Sequence, residues 1–331
     1  MPRELDEDDV RSRPSRSTRR RSRLRPDYTD AADALVVAVD RGRFTCHVID
    51  GPEVTAIRGG DVRRTPVVVG DQVQLAGDAS GRTDTLARIV SVAERRTLLR
   101  RTPDDTDPIE RPVVANAEQL VVVVALADPP PRLGLIDRCL VAAYDGGLTP
   151  VLCLTKRDLA TSEAIEKLYK PFGLPMLTTE PDGDLGALQE QIDGRISVFF
   201  GHSGVGKSTL VNRLVPDAHR AIGVVNDVTG RGRHTSSSAI ALAIPGASAG
   251  SWVIDTPGIR SFGLGMVSPQ RVLAAFPDLA AVTADCPRDC SHAETAPDCA
   301  LDDGMREGVL SQERVESLRR LLAARETPDY A

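Results

Sequence analysis

SVFFGHSGVGKSTLVNRL, residues 197–214, sets the reading of the chain. An apolar β-type run, Ser197–Phe200, enters a glycine-rich turn of the form G-x-x-x-x-G-K-S. The turn is Gly201, His202, Ser203, Gly204, Val205, Gly206, Lys207 and Ser208, and a helical segment, Thr209–Leu214, leaves it. Glycines at this spacing let backbone N–H groups converge on phosphate oxygens without a Cβ in the way, and the helix N-terminus adds a favourable dipole. The order strand, turn, helix separates a nucleotide phosphate loop from a chance glycine-rich turn. Lys207 is suited to reach the β- and γ-phosphates and Ser208 to ligate Mg2+. Thr209 begins the helix and counts with the loop as nucleotide-binding. His202 counts there too, but in a variable spacer position it takes no catalytic role.

Upstream, Gln119–Leu126 (QLVVVVAL) is a continuous buried-type strand, and Leu133, Ile136, Leu140 and Ala143 follow at helical spacing. A strand at Val151–Leu154, a helix at Ser162–Tyr169, a strand near Met176–Thr178 and a helix at Leu185–Ile192 complete the approach to the loop. This alternation predicts a mostly parallel sheet with helices on both faces. Downstream, the apolar strand Trp252–Ile254 delivers Asp255-Thr256-Pro257-Gly258. A carboxylate at that strand end can hold Mg2+, and the Gly258 N–H can sense a γ-phosphate. D-x-x-G alone carries little; beside a phosphate loop it carries much.

Thr155-Lys156-Arg157-Asp158 ends the Val151–Leu154 strand. By itself it reads as an ordinary charged turn. In company with the other two motifs, Asp158 can accept two hydrogen bonds from the N1–H and N2–H2 edge of guanine, a donor pair that adenine lacks. Lys156 would lie along the ring. This element precedes the phosphate loop, whereas ordinary GTPases run in the opposite order. A circularly permuted domain explains the order, since the termini of compact domains often lie close together.

The remaining segments differ in composition. Residues 11–25 hold eight arginines and no acid, so a net charge of −6 conceals −14 on the rest of the chain. Residues 1–32 read as a disordered basic leader that is suited to polyanions. From 33 to 110, short β-type runs (Ala34–Val39, Arg43–Ile49, Glu53–Arg58, Thr65–Val69, Gln72–Leu75, Thr85–Val92) predict a small barrel. Its one aromatic, Phe44, makes no stacking platform, so an RNA ligand would be gripped by backbone and shape. Residues 111–268 read as the nucleotide domain, and 269–331 as short helices around a cysteine cluster, closed by a helix at Gln312–Arg325 where Val315, Leu318 and Leu322 make one stripe. There Cys286, Cys290, His292 and Cys299 supply three thiolates and an imidazole within fourteen residues, a ligand set for tetrahedral Zn2+. Cys46, Cys139 and Cys153 fall in apolar patterns and read as core residues. At 41 % hydrophobic and 27 % charged, the chain can bury a core. Its longest apolar run, Leu120–Ala127, is too short to cross a bilayer, and no segment resembles a secretion signal.

From about residue 33 to 326 the chain resembles the circularly permuted ribosome-assembly GTPases of the RsgA/YjeQ family. The resemblance rests on the motifs above, on Val69-Gly70-Asp71, on Gly230-Arg231-Gly232-Arg233-His234-Thr235, and on Pro257–Leu264 (PGIRSFGL). It implies a multidomain α/β protein: an OB-fold barrel, a permuted P-loop GTPase domain and a small helical zinc domain with one Zn2+. It further implies GTP hydrolysis with Mg2+, stimulated by the small ribosomal subunit, coupled to late maturation of that subunit and to release from it. Contact with rRNA, a cytoplasmic location and a monomeric state are expected alongside it, and the absence of a long apolar run predicts no membrane association.

Three departures matter. The family often has Asn where Thr155 stands; Asn ties the base loop to the phosphate loop, and the shorter hydroxyl predicts weaker nucleotide binding. Thr235 is followed by Ser236–Ser238 rather than further threonines; Thr235 is expected to supply the second hydroxyl to Mg2+, with Ser236 as the alternative. The cysteine spacing differs by one residue on each side from the family pattern. Ile259 follows the D-x-x-G glycine where many GTPases place a water-orienting Gln, so intrinsic turnover is expected to be slow. His234 is the internal candidate for orienting water, along with a plainer reading as a loop histidine. Two rival functions remain at this stage. One is a P-loop ATPase or kinase acting on a small molecule; the other is a zinc-containing RNA-binding module with a structural nucleotide.

Overall fold

Alternation with period two builds the first part of the molecule. The computed structural model describes residues 30–60, 62, 65–82, 84–101, 111–218, 239–256, 262 and 267–326. The basic leader, apart from residues 30–32, lies outside them. Strands β1 (Ala32–Asp40), β2 (Arg43–Val48), β3 (Glu53–Arg58), β4 (Gln72–Gly77) and β5 (Ala87–Val92) are joined in the order β1-β2-β3-β5-β4, and β4 pairs back onto β1. All pairings are antiparallel except β3–β5. The closed five-stranded barrel buries Phe44, Cys46, Val54, Ala56, Val73, Leu75, Ala87 and Ile89, every second residue of their strands.

Thr65–Val69, expected as a strand, is not one: Val69 alone makes a bridge, to Val114. Pro66 has no N–H to give a ladder. The N–H of Val68 bonds instead to the buried carboxylate of Asp71 at 2.8 Å, and that carboxylate also takes a forked pair from Arg95 at 2.7 and 2.8 Å. A hairpin, β6 (Leu98–Arg101) with β7 (Arg111–Ala115), leads into the second part.

There β8 (Gln119–Ala125), β9 (Thr149–Thr155), β10 (Met176–Thr178), β11 (Ile196–Phe200), β12 (Ile240–Ala243) and β13 (Trp252–Asp255) lie in the order β10-β9-β8-β11-β13-β12. All neighbours run parallel except β12, antiparallel to β13. β8 is buried throughout, as an all-apolar run covered on both faces must be. Helices α1 (Leu133–Gly146) and α2 (Glu163–Tyr169) pack in the core of one face. Helices α3 (Gly186–Ile192) and α4 (Lys207–Leu214) pack in the core of the other. Barrel and sheet are continuous, because Ala38 of β1 pairs with Ile240 of β12.

Three short helices, α5 (Pro269–Leu273), α6 (Pro277–Val282) and α7 (Ala300–Arg306), and the longer α8 (Gln312–Glu326) follow. The α8 stripe Val315, Leu318 and Leu322 is buried as its spacing predicts, and it joins the core that α1 shares.

Candidate nucleotide site and metal cluster

Open parallel sheets bind ligands beyond the carboxyl ends of their strands, and three sequence-remote segments meet there. The Gly201–Ser208 turn leaves β11 on a rigid base, since Val198, Phe199 and Phe200 are buried. Gly201 is obligatory by contact: a Cβ would lie 2.8 Å from the Val123 carbonyl oxygen and 2.8 Å from the Val205 side chain. Gly206 is obligatory by conformation, with φ +93°, and is the residue from which α4 springs. Ser203, Gly204, Ser208 and Thr209 are exposed, while Leu210, Val211 and Leu214 anchor the helix. His202 is half-buried and lines a depression with Leu135, Ile136 and Phe200, its Nδ1 3.0 Å from the Ser203 carbonyl oxygen.

β13 lies beside β11 in a register that pairs Asp255 with Phe199. The Thr256 hydroxyl donates to the Phe199 carbonyl at 2.9 Å and fixes the strand end. The carboxylate of Asp255 forms an ion pair with the Lys207 ammonium, both largely withdrawn from water. An ammonium suited to phosphate and an oxygen ligand suited to Mg2+ thus meet where the loop ends. Ser208, on the adjoining turn of α4, adds a hydroxyl of the same hard-donor class.

On the other side, Thr155 at the end of β9 reaches the phosphate loop directly. Its hydroxyl donates to the Val205 carbonyl at 2.6 Å, with the Val124 carbonyl oxygen 3.4 Å away. The tie that the shorter side chain put in question is therefore made. Lys156 takes a left-handed conformation, φ +59°, and its ammonium bonds the Asp128 carbonyl. Arg157 and Asp158 sit exposed on the turn closed by the Leu159 N–H to Lys156 carbonyl bond of 2.9 Å. Leu159, next to Asp158, is 57 % exposed, an apolar face beside a carboxylate.

A second wall escaped the sequence reading. β10 ends at Thr178, and the Thr179 carbonyl accepts from the Arg157 N–H at 3.2 Å, so the Thr179–Gly183 turn borders the Asp158 turn. The available signal was a strand followed by the polar run Thr179–Asp184 at the same sheet edge. His234, Thr235 and Gly258 lie outside the described residues, as does Ile259.

The cysteine cluster forms as expected. The candidate ligand atoms of Cys286, Cys290, His292 and Cys299 all lie within 4.8 Å of one another. His292 presents Nδ1, 3.6 Å from the Cys286 sulfur and 3.9 Å from that of Cys299. Asp289, His292 and Asp298 adopt positive φ, which folds so short a segment back on itself. Outside the ligands, the Ala300 N–H points at the Cys286 sulfur at 3.3 Å, and Arg319 holds the His292 carbonyl at 3.0 Å. Burial, reinforced by the neighbouring thiols, pushes the Cys286 thiol up to about 11, and burial lowers His292. Three sulfurs and one imidazole fit a borderline-soft tetrahedral ion, Zn2+, and fit Mg2+ or Ca2+ poorly.

The profile of the RsgA GTPase family matches residues 92–265. The small ribosomal subunit biogenesis GTPase RsgA of Pseudomonas fluorescens (strain SBW25) is 39 % identical over 273 residues, 80 % of this chain and 76 % of that protein. The protein of the same name from Pseudomonas syringae pv. tomato is 38 % identical over 297 residues, 84 % of this chain and 83 % of its own. Among solved structures, YjeQ from Thermotoga maritima superposes with a TM-score of 0.66 at 24 % identity, covering 88 % of this chain and 98 % of that one. YloQ, described as a circularly permuted GTPase, superposes at 0.62 and 23 % identity over 91 % and 97 %. These two likenesses establish the fold, including the permuted order of motifs.

Proposed function

The chain belongs to the RsgA GTPase family, and on that premise we propose that it hydrolyses GTP in the biogenesis of the small ribosomal subunit. In this reading it binds that subunit, and hydrolysis is coupled to late maturation and to its own release. The observation that carries the reading is the meeting of Thr155 with Val205 and of Lys207 with Asp255. It gathers the base, phosphate and metal motifs at one sheet edge although the chain order is permuted.

The roles follow from chemistry. Asp158 accepts from the guanine edge, with Lys156 and Arg157 in the same turn, and Leu159 offers apolar cover. The Gly201–Thr209 segment receives the phosphates, and Lys207 exchanges its Asp255 partner for β- and γ-phosphate oxygens. Ser208, Asp255 and Thr235 would hold Mg2+, which supplies neutralisation of phosphate charge. Gly258 senses the γ-phosphate, and His234 orients the attacking water in place of the side chain that Ile259 lacks. Cys286, Cys290, His292 and Cys299 would hold one Zn2+ as a structural ion.

Barrel 33–110, GTPase domain 111–268 and zinc-binding segment 269–331 are read as parts of one cytoplasmic monomer without membrane contact. For rRNA the support is a row across the barrel face: Arg43 pairs with Ile57 and Ile57 with Arg88, both arginines exposed. Phe44 is in the core, so this face meets phosphates rather than stacked bases.

The test is hydrolysis of GTP and of ATP, each with and without purified small subunits. Expected are GTP preference, slow intrinsic turnover and stimulation by the subunit. Lys207→Ala and Ser208→Ala are expected to abolish turnover. ATP use would favour a small-molecule kinase or ATPase, and binding without turnover an RNA-binding module. Normal stimulated rates in the two variants would refute the site.

A further inference from the structure

Arg213 stands near the end of α4, six residues beyond Lys207. Its guanidinium leaves the helix for the turn after β10. Nη1 donates to the Glu180 carbonyl at 3.2 Å and to the Pro181 carbonyl at 2.8 Å, and Nη2 donates to the Gly183 carbonyl. The turn closes on itself through the Gly183 N–H to Glu180 carbonyl bond of 3.2 Å. Its root is fixed to the sheet, where the Thr179 N–H meets the Leu154 carbonyl at 2.7 Å. Glu180, Pro181 and Asp182 are exposed, so the tip of the turn has little packing to define it.

A planar fork can serve several carbonyls along one turn; a lysine ammonium, a mobile point charge, cannot hold that geometry. The consequence is mechanical. α4 begins at the phosphate loop, and the 179–183 turn borders the turn that carries Asp158. Thr155 joins the two halves at one point, and Arg213 joins them at a second, about two helical turns away. We propose that Arg213 is a positioning residue for purine recognition, which holds the 180–183 turn in binding register with the phosphate loop. The inference rests on reading the Asp158 turn as the base site. Arg213 touches no reacting atom, so its removal moves affinity and base discrimination and leaves the γ-phosphate chemistry in place. Ordering that turn becomes a cost of binding once the fork is gone.

The experiment is nucleotide titration and steady-state hydrolysis with the full chain carrying Arg213→Met and, separately, Arg213→Lys. Methionine keeps an apolar stem and removes every donor. Expected is a Kd and KM for GTP raised about tenfold, a smaller preference for GTP over ITP, and kcat within about twofold of the parent. Arg213→Lys should stay close to the methionine variant. Amide exchange of residues 180–183 in the Lys variant, which keeps the charge, should be faster than in the parent even if Arg213→Met fails to fold. GTP affinity unchanged in Arg213→Met would overturn the assignment. So would full rescue by Lys, which would reduce the residue to a charge at a helix C-terminus. A parent protein that binds no GTP would sink the functional reading itself; a parent that binds GTP beside unaffected variants would sink only the role of Arg213.

Discussion

A threonine can stand at position 155 because its partner is a backbone carbonyl. One hydroxyl proton suffices for Val205, 2.6 Å away. That proton is then spent, so Thr155 has none to offer a base, and in the proposed reading discrimination falls on Asp158. Thr155→Val removes the bond at nearly constant volume and leaves a buried carbonyl without its partner, a loss of about 1–2 kcal/mol. Calorimetric titration should show GTP binding about tenfold weaker for Thr155→Val and nearly unchanged for Thr155→Ser. Asp158→Asn turns half of an acceptor pair into a donor. Its GTP affinity should drop by at least about a hundredfold, with xanthosine triphosphate now accepted. Equal affinity for GTP would mean that Asp158 does not read the base. The Gly201–Ser208 turn and the turn carrying Asp158 were legible as local features because each is defined by its own neighbours in the chain. The roles of Thr179 and Arg213 were not, because they are set by partners about twenty to thirty residues away, Leu154 and Arg157 for Thr179 and the 180–183 turn for Arg213.

Elements were readable where one local pattern dominated. β8 declared itself by an unbroken apolar run, α8 by a helical stripe, the barrel strands by alternation. Thr65–Val69 has strand composition, yet the Asp71 carboxylate, three residues past Val68, claims the N–H a ladder would need. β12 has four residues and is defined by its two neighbours rather than by itself. The helices α5 to α7, of five to seven residues, are too short to persist alone, and side-chain anchors hold them. Arg314 of α8 pairs with Asp278 of α6 and lies over the Phe276 ring at 5.0 Å. The guanidinium hydrogen bond holds the Asp278 carboxyl below the usual carboxylate range. A depressed pKa contributes stability above the unfolded value, near 4, that is lost as pH falls through the folded one. The opening free energy of α6, taken from amide exchange corrected for the intrinsic pH dependence of the amide rate, should therefore be constant above about pH 5 and fall below about pH 4, a fall absent in Arg314→Met. Removing metal should act on the neighbouring segment. A chelator, or Cys290→Ser, should release one Zn2+ per chain and expose the 286–300 amides while GTP binding persists.

At the scale of the molecule, permutation sends the chain from the D-x-x-G strand straight into the closing helices, and α1 grips both. Phe262 packs on Phe200, ring centroids 4.5 Å apart, and its carbonyl accepts from Arg138 at 3.1 Å. The preceding residue, Asp137, is buried, accepts a hydrogen bond from the Tyr169 hydroxyl at 2.9 Å and forms an ion pair with the Arg320 guanidinium of α8, 2.7 Å between Oδ2 and Nε. Adjacent side chains of one helix therefore hold Phe262, which follows the D-x-x-G segment in the chain, and α8. No sequence pattern marks this pair, since a charge in an apolar helix face becomes readable only when its partner, nearly two hundred residues on, is known. Burial raises the Asp137 carboxyl, while Arg320 and Tyr169 pull it back. Arg320→Met removes the stronger opposing influence, leaves a carboxylate buried beside a phenol, and should cost about 3 kcal/mol at neutral pH. A raised carboxyl pKa stabilises below the unfolded value, and that contribution is lost as pH rises through the folded one. The deficit of Arg320→Met against the parent should accordingly be larger at about pH 8 than at about pH 5 in urea unfolding. Adding Asp137→Asn removes the stranded charge and should return most of the loss, giving a coupling energy of about 2 kcal/mol in the double-mutant cycle. Additive effects of the two substitutions would mean that α1 and α8 are held together by their apolar contacts alone.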